Sequence, residues 1–365
     1  MHKIKVMAYP ITENKIESSR ASETDINNIP MGVVFSDHMF VCDYENGHWQ
    51  NPRIEPLTTI PTHPAAMALH YGQAIFEGMK ATLGQDGTPL LFRPDENAKR
   101  LNFSADRMGM PAFPEDLFVE GCKRLVAIEH RWIPKNEGSA LYLRPFMYAD
   151  EAFIGMRAAT KYKFIIFASP SGPFFSKPIK LWAETQYIRA ANGGTGEAKA
   201  AGNYAAAIRP TEMAKAKGYD QVLWLDARDF EYAQECGTMN IFFKIDGNFV
   251  TPNLSGSVLA GITRMSVIAL LRDKGFEVTE RPISMTEIIE ASKKGVLEEA
   301  FGVGTAVGIA MVEQIGYKDL EIKLATENTI AQEIKNTLDK IKIQEMEDKF
   351  GWIVRVELNS EVQTR

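Results

Sequence analysis

Cysteine is scarce in this chain: only Cys42, Cys122 and Cys236 occur among 365 residues. They are too few and too scattered for a disulfide framework, and they form no CxxC pair or zinc-ligand spacing, so no metal site is expected. A bilayer-spanning apolar run is also missing. The weakly polar stretch near Ala300–Val312 is too short and is broken by glycines. The opening Met1-His-Lys-Ile-Lys-Val-Met7 lacks the apolar core of a secretory signal, and the early Glu13, Glu17 and Glu23 disfavour a transit peptide. Positive charge is not in excess. The net charge of −6 argues against broad nucleic-acid binding. No internal repeat or low-complexity segment appears. A soluble protein of the reducing cytoplasm is the expectation.

What is present is ordinary for a globular chain. Hydrophobic residues make up 45% and charged residues 24%, and the length accommodates two domains. Residues 1–30 read as a polar, extended arm. Met31–Val41 reads as a strand before a hairpin turn at Glu45-Asn-Gly-His48, where Asn-Gly favours positive backbone dihedrals. His70–Lys80 starts helical and enters a strand, and Leu90–Arg93 is a short strand. Helices follow from Asp95 to about Met108 and from about Pro114 to His130. Ser139–Met147 and Lys163–Ala168 are β-rich, separated by a loop at Asp150–Thr160. Proline and glycine cluster in Ser169–Ser176, which places a linker there. The second half alternates strands (Ile179–Ala183, Gln221–Leu225, Met239–Ile245, Phe249–Thr251) with helices (Ala205–Lys217, Ile262–Lys274, Met285–Lys294, Asn328–Ile341). It ends on a strand near Trp352–Val356. The expected organisation is a mixed α/β (α+β) chain with a small N-terminal domain over 1–173, a linker over 174–188 and a larger C-terminal domain over 189–365.

The chemistry centres on Gly193-Gly-Thr-Gly-Glu-Ala-Lys199-Ala-Ala-Gly-Asn-Tyr204. One lysine sits among small residues, five positions before a tyrosine. Glycines let a backbone approach a planar ligand closely, and a lysine amine condenses with an aldehyde to form a Schiff base. Taken alone, Lys199 reads equally as a solvated loop lysine, and Tyr204 as a half-buried tyrosine. Glu235, in Gln234-Glu-Cys-Gly-Thr-Met-Asn240, is a carboxylate suited to a pyridine nitrogen, or a plain turn glutamate. Gly261-Ile262-Thr263 begins an apolar-periodic helix whose free N–H groups suit an anion. Gly302-Val-Gly-Thr305-Ala306 is a second glycine-bearing turn with a hydroxyl. Each of these is a weak signal by itself. Arg100 suits a phosphate as a fork, or lies on a solvated helix face. Arg144 interrupts the apolar strand Leu141-Tyr-Leu-Arg-Pro145, where an unpaired charge is costly, so a carboxylate or ion-pair partner is expected. Tyr71, Phe76, Tyr142 and Phe174 wall an apolar pocket or pack in a core.

Together and in this order, these pieces resemble the branched-chain amino acid aminotransferases, which are fold-type IV pyridoxal phosphate enzymes. The marks are Phe76-Glu-Gly-Met-Lys80, Leu91-Phe-Arg-Pro94, Leu141-Tyr-Leu-Arg-Pro145, Gly193–Lys199, Gly202-Asn-Tyr204, Glu235–Asn240, Gly261-Ile-Thr-Arg264 and Gly304-Thr-Ala306. The resemblance spans about residues 30–356. It implies two domains with pyridoxal 5'-phosphate in the cleft between them. Lys199 would be the Schiff-base lysine, Tyr204 the partner of the cofactor's 3-oxygen and Glu235 that of its ring nitrogen. Arg100, Ile262, Thr263 and Thr305 would hold the phosphate. Tyr71, Phe76, Tyr142, Arg144, Met156, Phe174, Thr238 and Ala306 would bind substrate, with Tyr71 and Met156 acting across a homodimer interface. The implied reaction moves the amino group of L-leucine, L-isoleucine or L-valine to 2-oxoglutarate. Two departures stand out. Val307-Gly-Ile-Ala310 replaces a CxxC redox pair of mammalian members, and Phe174 replaces a tyrosine of some relatives. A D-amino acid aminotransferase, an aminodeoxychorismate lyase and a catalytically silent scaffold on the same fold are the competing readings.

Overall fold

The computed structural model describes residues 10–27, 29–173 and 177–358. The chain divides into two compact units. One holds the described residues up to Pro173 with those from Lys340 onward, and the other spans 174–339. The return of the C-terminus to the first unit departs from the expected second domain ending at 365. Its cause is an open sheet edge. Strand Ile353–Arg355 pairs antiparallel with Pro89–Phe92, and Val356 is buried in the first unit's core.

The first unit is built on a nine-stranded sheet. Its order is Thr12–Glu13, His48–Pro56, His38–Glu45, Tyr162–Ser171, Ala140–Ala149, Met79–Leu83, Pro89–Phe92, Ile353–Arg355, with Ala74–Phe76 also paired to Ala140–Ala149. Helices Pro94–Arg107 and Glu115–Ile128 bury Ala98, Leu101, Ala105 and Leu117, Cys122, Leu125 at helical spacing. These meet Phe40 and Phe164 from the sheet, and Phe113 stacks on Phe164 at 3.9 Å. Two expectations shift. The strand expected at Met31–Val41 lies at His38–Glu45, because a turn occupies Met31–Val34. The expected linker starts three residues late, because Ser169–Ser171 continue a strand, with Ser169 and Ser171 buried opposite Tyr142 and Ala140.

Described residues of the N-terminal arm are tied to the first unit. Asp37 receives Ser19 Oγ at 2.6 Å, Trp132 Nε1 at 2.9 Å and Arg20 Nε at 2.8 Å, while Ile16 N donates to His38 Nε2 at 3.0 Å. Burial pushes the Asp37 carboxyl up, but the bonds from Ser19, Trp132 and Arg20, with Arg20's charge, outweigh it and hold it below the usual carboxylate range. A depressed folded-state value gives stabilisation that is present above the unfolded value and lost as pH falls through the folded one. The clamp therefore holds at neutral pH and loosens below about pH 4. Asp37→Asn is expected to lower the melting temperature at pH 7 and to flatten its further fall in acid. Equal acid slopes for mutant and wild type in a thermal scan would contradict this.

The second unit carries another nine-stranded sheet. The pairing runs Ala233–Cys236, Gln221–Leu225, Ile179–Ala183, Gly308–Tyr317, Leu297–Gly304, Met239–Ile245, and the last strand pairs again with the first. Six strands thus close a ring, with Asn248–Thr251, Val278–Glu280 and Leu320–Lys323 attached outside it. Closure removes edges, and Leu223, Leu225, Ile241, Phe243, Val312 and Ile315 pack within this unit's core. Helix Ile262–Asp273 and helix Met285–Lys293 lie close to the expected spans, and the last helix is Ile330–Lys342. No helix among the described residues is long and apolar enough to cross a membrane.

Candidate active site

The lysine segment folds as a turn leading into helix Ala201–Ala216. The helix begins four residues before the expected Ala205, so Tyr204 sits in its first turn. There the side chain points back toward the preceding loop. Lys199 Nζ donates to Tyr204 Oη at 2.8 Å. Asn203 fixes the loop: its Nδ2 donates to Thr195 O at 2.8 Å and Ala198 O at 2.9 Å, and its Oδ1 accepts from Thr195 Oγ1 at 2.7 Å. Gly196 is required by packing, since a Cβ there would lie 2.7 Å from Ser257 O.

Glu235 lies in a strand, Ala233–Cys236, rather than a turn, and is 3% exposed. A buried carboxylate needs partners. Its Oε1 accepts from Leu259 N at 2.8 Å and Asn240 Nδ2 at 3.2 Å, and its Oε2 lies 2.9 Å from Arg189 Nε. Tyr204, Glu235, Thr238 and Arg189 line one pocket. Thr238 is exposed in the turn after the Glu235 strand. Ile262 and Thr263 are the first residues of helix Ile262–Asp273, capped by Gly261 with no side-chain hydrogen bond, so backbone donors face outward at its positive end. The expected Gly302–Ala306 turn is shorter than expected. Gly302–Gly304 finish a strand, and Thr305 and Ala306 occupy the turn to Gly308–Tyr317. Arg189 and Leu259 were invisible as site residues in the sequence, because Glu235, which they meet, is distant along the chain, whereas Asn240 lay inside the quoted Glu235–Asn240 segment without a role assigned to it.

The first unit holds the other candidates. Arg100 is not on a solvated helix face. It is 9% exposed, and Glu77 takes its fork, Nε to Oε1 at 2.8 Å and Nη2 to Oε2 at 2.7 Å. The Nε–Nη2 edge that would grip an anion at two points is therefore engaged by Glu77. Arg144 lies over the Phe76 ring at 4.7 Å and the Tyr142 ring at 5.4 Å, and its Nη2 donates to Tyr142 Oη at 3.1 Å. Instead of a structural ion pair, it shows a buried Nε with no partner among the described residues. Gly78 makes this cluster possible: a Cβ there would fall 2.0 Å from Tyr142 Oη. Gly78→Ala is expected to displace Tyr142 and destabilise the protein by about 1–3 kcal/mol. An unchanged denaturation midpoint would refute that packing account. Tyr71 is 40% and Met156 94% exposed, on segments joined by the Ala66–Ala152 bridge. Phe174 lies outside the described residues.

The family model for amino-transferase class IV matches residues 74–315. The chain belongs to the class IV aminotransferases. Among relatives of this aminotransferase, branched-chain-amino-acid aminotransferase 2 of Bacillus subtilis is 46% identical over 94% of this chain and 96% of its own. The branched-chain-amino-acid aminotransferase of Mycolicibacterium smegmatis is 40% identical over 92% and 94%. Among solved structures, the Escherichia coli branched-chain amino acid aminotransferase superposes with a TM-score of 0.72 at 25% identity, covering 88% of this chain and 99% of that one. The branched-chain amino acid aminotransferase of Thermobaculum terrenum, in its PLP form, gives a TM-score of 0.70 at 22% identity over 88% and 99%, a likeness of fold.

Class IV aminotransferases depend on pyridoxal phosphate, and the donor chemistry of this chain fits that group. An amine meets a phenol at 2.8 Å, a buried carboxylate lines the same pocket as that phenol, and a helix begins without a side-chain cap. These supply a condensing nucleophile, an anion for a ring nitrogen and N–H donors for a phosphate.

Proposed function

We propose that this aminotransferase transfers the amino group of L-leucine, L-isoleucine or L-valine reversibly to 2-oxoglutarate, giving the branched-chain 2-oxo acid and L-glutamate. The observation that carries this reading is the 46% identity, over 94% of the chain, to a Bacillus subtilis enzyme named for that activity. Pyridoxal phosphate, when bound, supplies an aldehyde that condenses with amines and a ring that withdraws electrons from the substrate Cα. Lys199 Nζ would hold the aldehyde as its imine and, once the substrate amine has displaced it, would carry the proton to and from the substrate Cα. Tyr204 Oη, 2.8 Å from that nitrogen, orients it and would donate to the cofactor's 3-oxygen. Glu235, a carboxylate held from two sides, would keep a proton at the ring nitrogen. Ile262 N and Thr263 N, with Thr305 Oγ1 and Arg100, would hold the phosphate.

Phe76, Tyr142, Thr238 and Ala306 would wall the substrate. Arg144, whose Nε is buried without a partner among the described residues, receives the side-chain carboxylate of glutamate. The exposure of Tyr71 and Met156 supports a homodimer in which each completes the neighbour's site. The scarcity of cysteine supports a cytoplasmic setting. A coupled assay with L-leucine and 2-oxoglutarate tests the reading. Glutamate formation is expected from L-leucine and not from D-alanine. Turnover of D-alanine without L-leucine would overturn it in favour of a D-amino acid enzyme.

A further inference from the structure

Arg189 has no place in the roles above, yet it ties three parts of the second unit together. Its side chain is 9% exposed. Its Nε lies 2.9 Å from Glu235 Oε2, an ion pair rather than a linear hydrogen bond. Its Nη2 donates to Gly196 O at 3.2 Å and also to Ser257 O. Gly196 belongs to the loop that ends in Lys199, and its backbone is pressed against Ser257. Opposite Arg189, Asn240 Nδ2 bridges Glu235 Oε1 and Leu259 O, so the carboxylate is gripped from both sides.

We infer that Arg189 is a positioning residue that sets the lysine-bearing loop in register with the Glu235 carboxylate before cofactor arrives. A guanidinium can do this because its planar fork reaches a carboxylate and two carbonyls at once. An ammonium is a point charge and lacks that fork. The benefit is preorganisation: a loop already ordered costs less to order when ligand binds. The meaning of the register rests on the proposed role of Glu235 at the ring nitrogen, whereas the register itself does not.

The test uses full-length apoenzyme in three forms, wild type, Arg189→Gln and Arg189→Lys. Amide hydrogen exchange of residues 190–199 is read against helix Met285–Lys293 as internal control. Pyridoxal phosphate affinity is read from tryptophan fluorescence. Arg189→Gln is expected to speed exchange of 190–199 and to weaken affinity, each about tenfold, the size of a lost buried hydrogen bond. The control helix should not change. Arg189→Lys should fall between, since it keeps the charge and loses the carbonyl contacts.

In a Glu235→Gln background the affinity cost of Arg189→Gln should shrink to about twofold, because the two residues act through one contact. Unchanged exchange in 190–199, or a full tenfold affinity cost in both backgrounds, would overturn the inference. If Arg189→Gln does not fold, Arg189→Lys decides by the same exchange reading. If wild-type apoenzyme binds no pyridoxal phosphate, the cofactor reading fails and exchange still judges Arg189.

Discussion

Lys199→Ala is expected to lower kcat for transamination by about 10⁴-fold or more while leaving the fold intact. One nitrogen holds two duties in the proposed chemistry, covalent anchor and proton carrier, beside Tyr204 Oη at 2.8 Å. The loss therefore falls on the chemical step rather than on binding alone. Stability should move little. Lys199 is only half-buried, and the loop around it is fixed by Asn203 and Thr195, which the substitution does not touch. The check is kcat together with a thermal melt. Retention of more than about a hundredth of wild-type kcat would show that another group carries the proton.

Glu235→Ala is expected to cost about 3–5 kcal/mol of stability, because it strands a buried cation. Arg189 would lose the carboxylate 2.9 Å from its Nε, and Leu259 N and Asn240 Nδ2 would lose their acceptor. For a unit of this size the melting temperature should fall by roughly 10 °C. Glu235→Gln separates structure from chemistry. It keeps the volume and an acceptor for Leu259 N, so its melt should lie closer to wild type. It removes the anion, so kcat should still fall by about 10²–10³-fold. A Glu235→Ala protein that melts with wild type would mean that the Arg189–Glu235 pair is not the buried contact described here. A Glu235→Gln protein with full kcat would remove the carboxylate from the mechanism.

The lysine and its tyrosine partner were legible because they lie on one short stretch. A spacing of five residues across a turn into a helix brings Lys199 and Tyr204 together with no help from the rest of the chain. The helix at Ile262 was legible because its apolar period starts at a glycine. Arg189 was not legible, since its partners Gly196 and Ser257 lie 7 and 68 residues away and only the closed sheet ring brings Glu235 to it. That ring was hidden for a related reason. Gln234 and Glu235 break the apolar look of Ala233–Cys236, and the strand is stable in a buried place because the carboxylate is fully partnered. The burial of Arg100 was hidden as well. Arg100 reads from the sequence as a phosphate fork or as a residue of a solvated helix face, whereas Glu77 on a separate segment takes the fork and holds it inside.

The proposed covalent attachment of pyridoxal phosphate to Lys199 underlies the proposed transamination. Pyridoxal phosphate-loaded protein, reduced with borohydride, digested and mapped by mass spectrometry, measures it directly. The reduced phosphopyridoxyl mass is expected on the peptide containing Lys199 and on no other lysine. A label on a different lysine, or none after reduction of a protein that has bound the cofactor, would contradict the account.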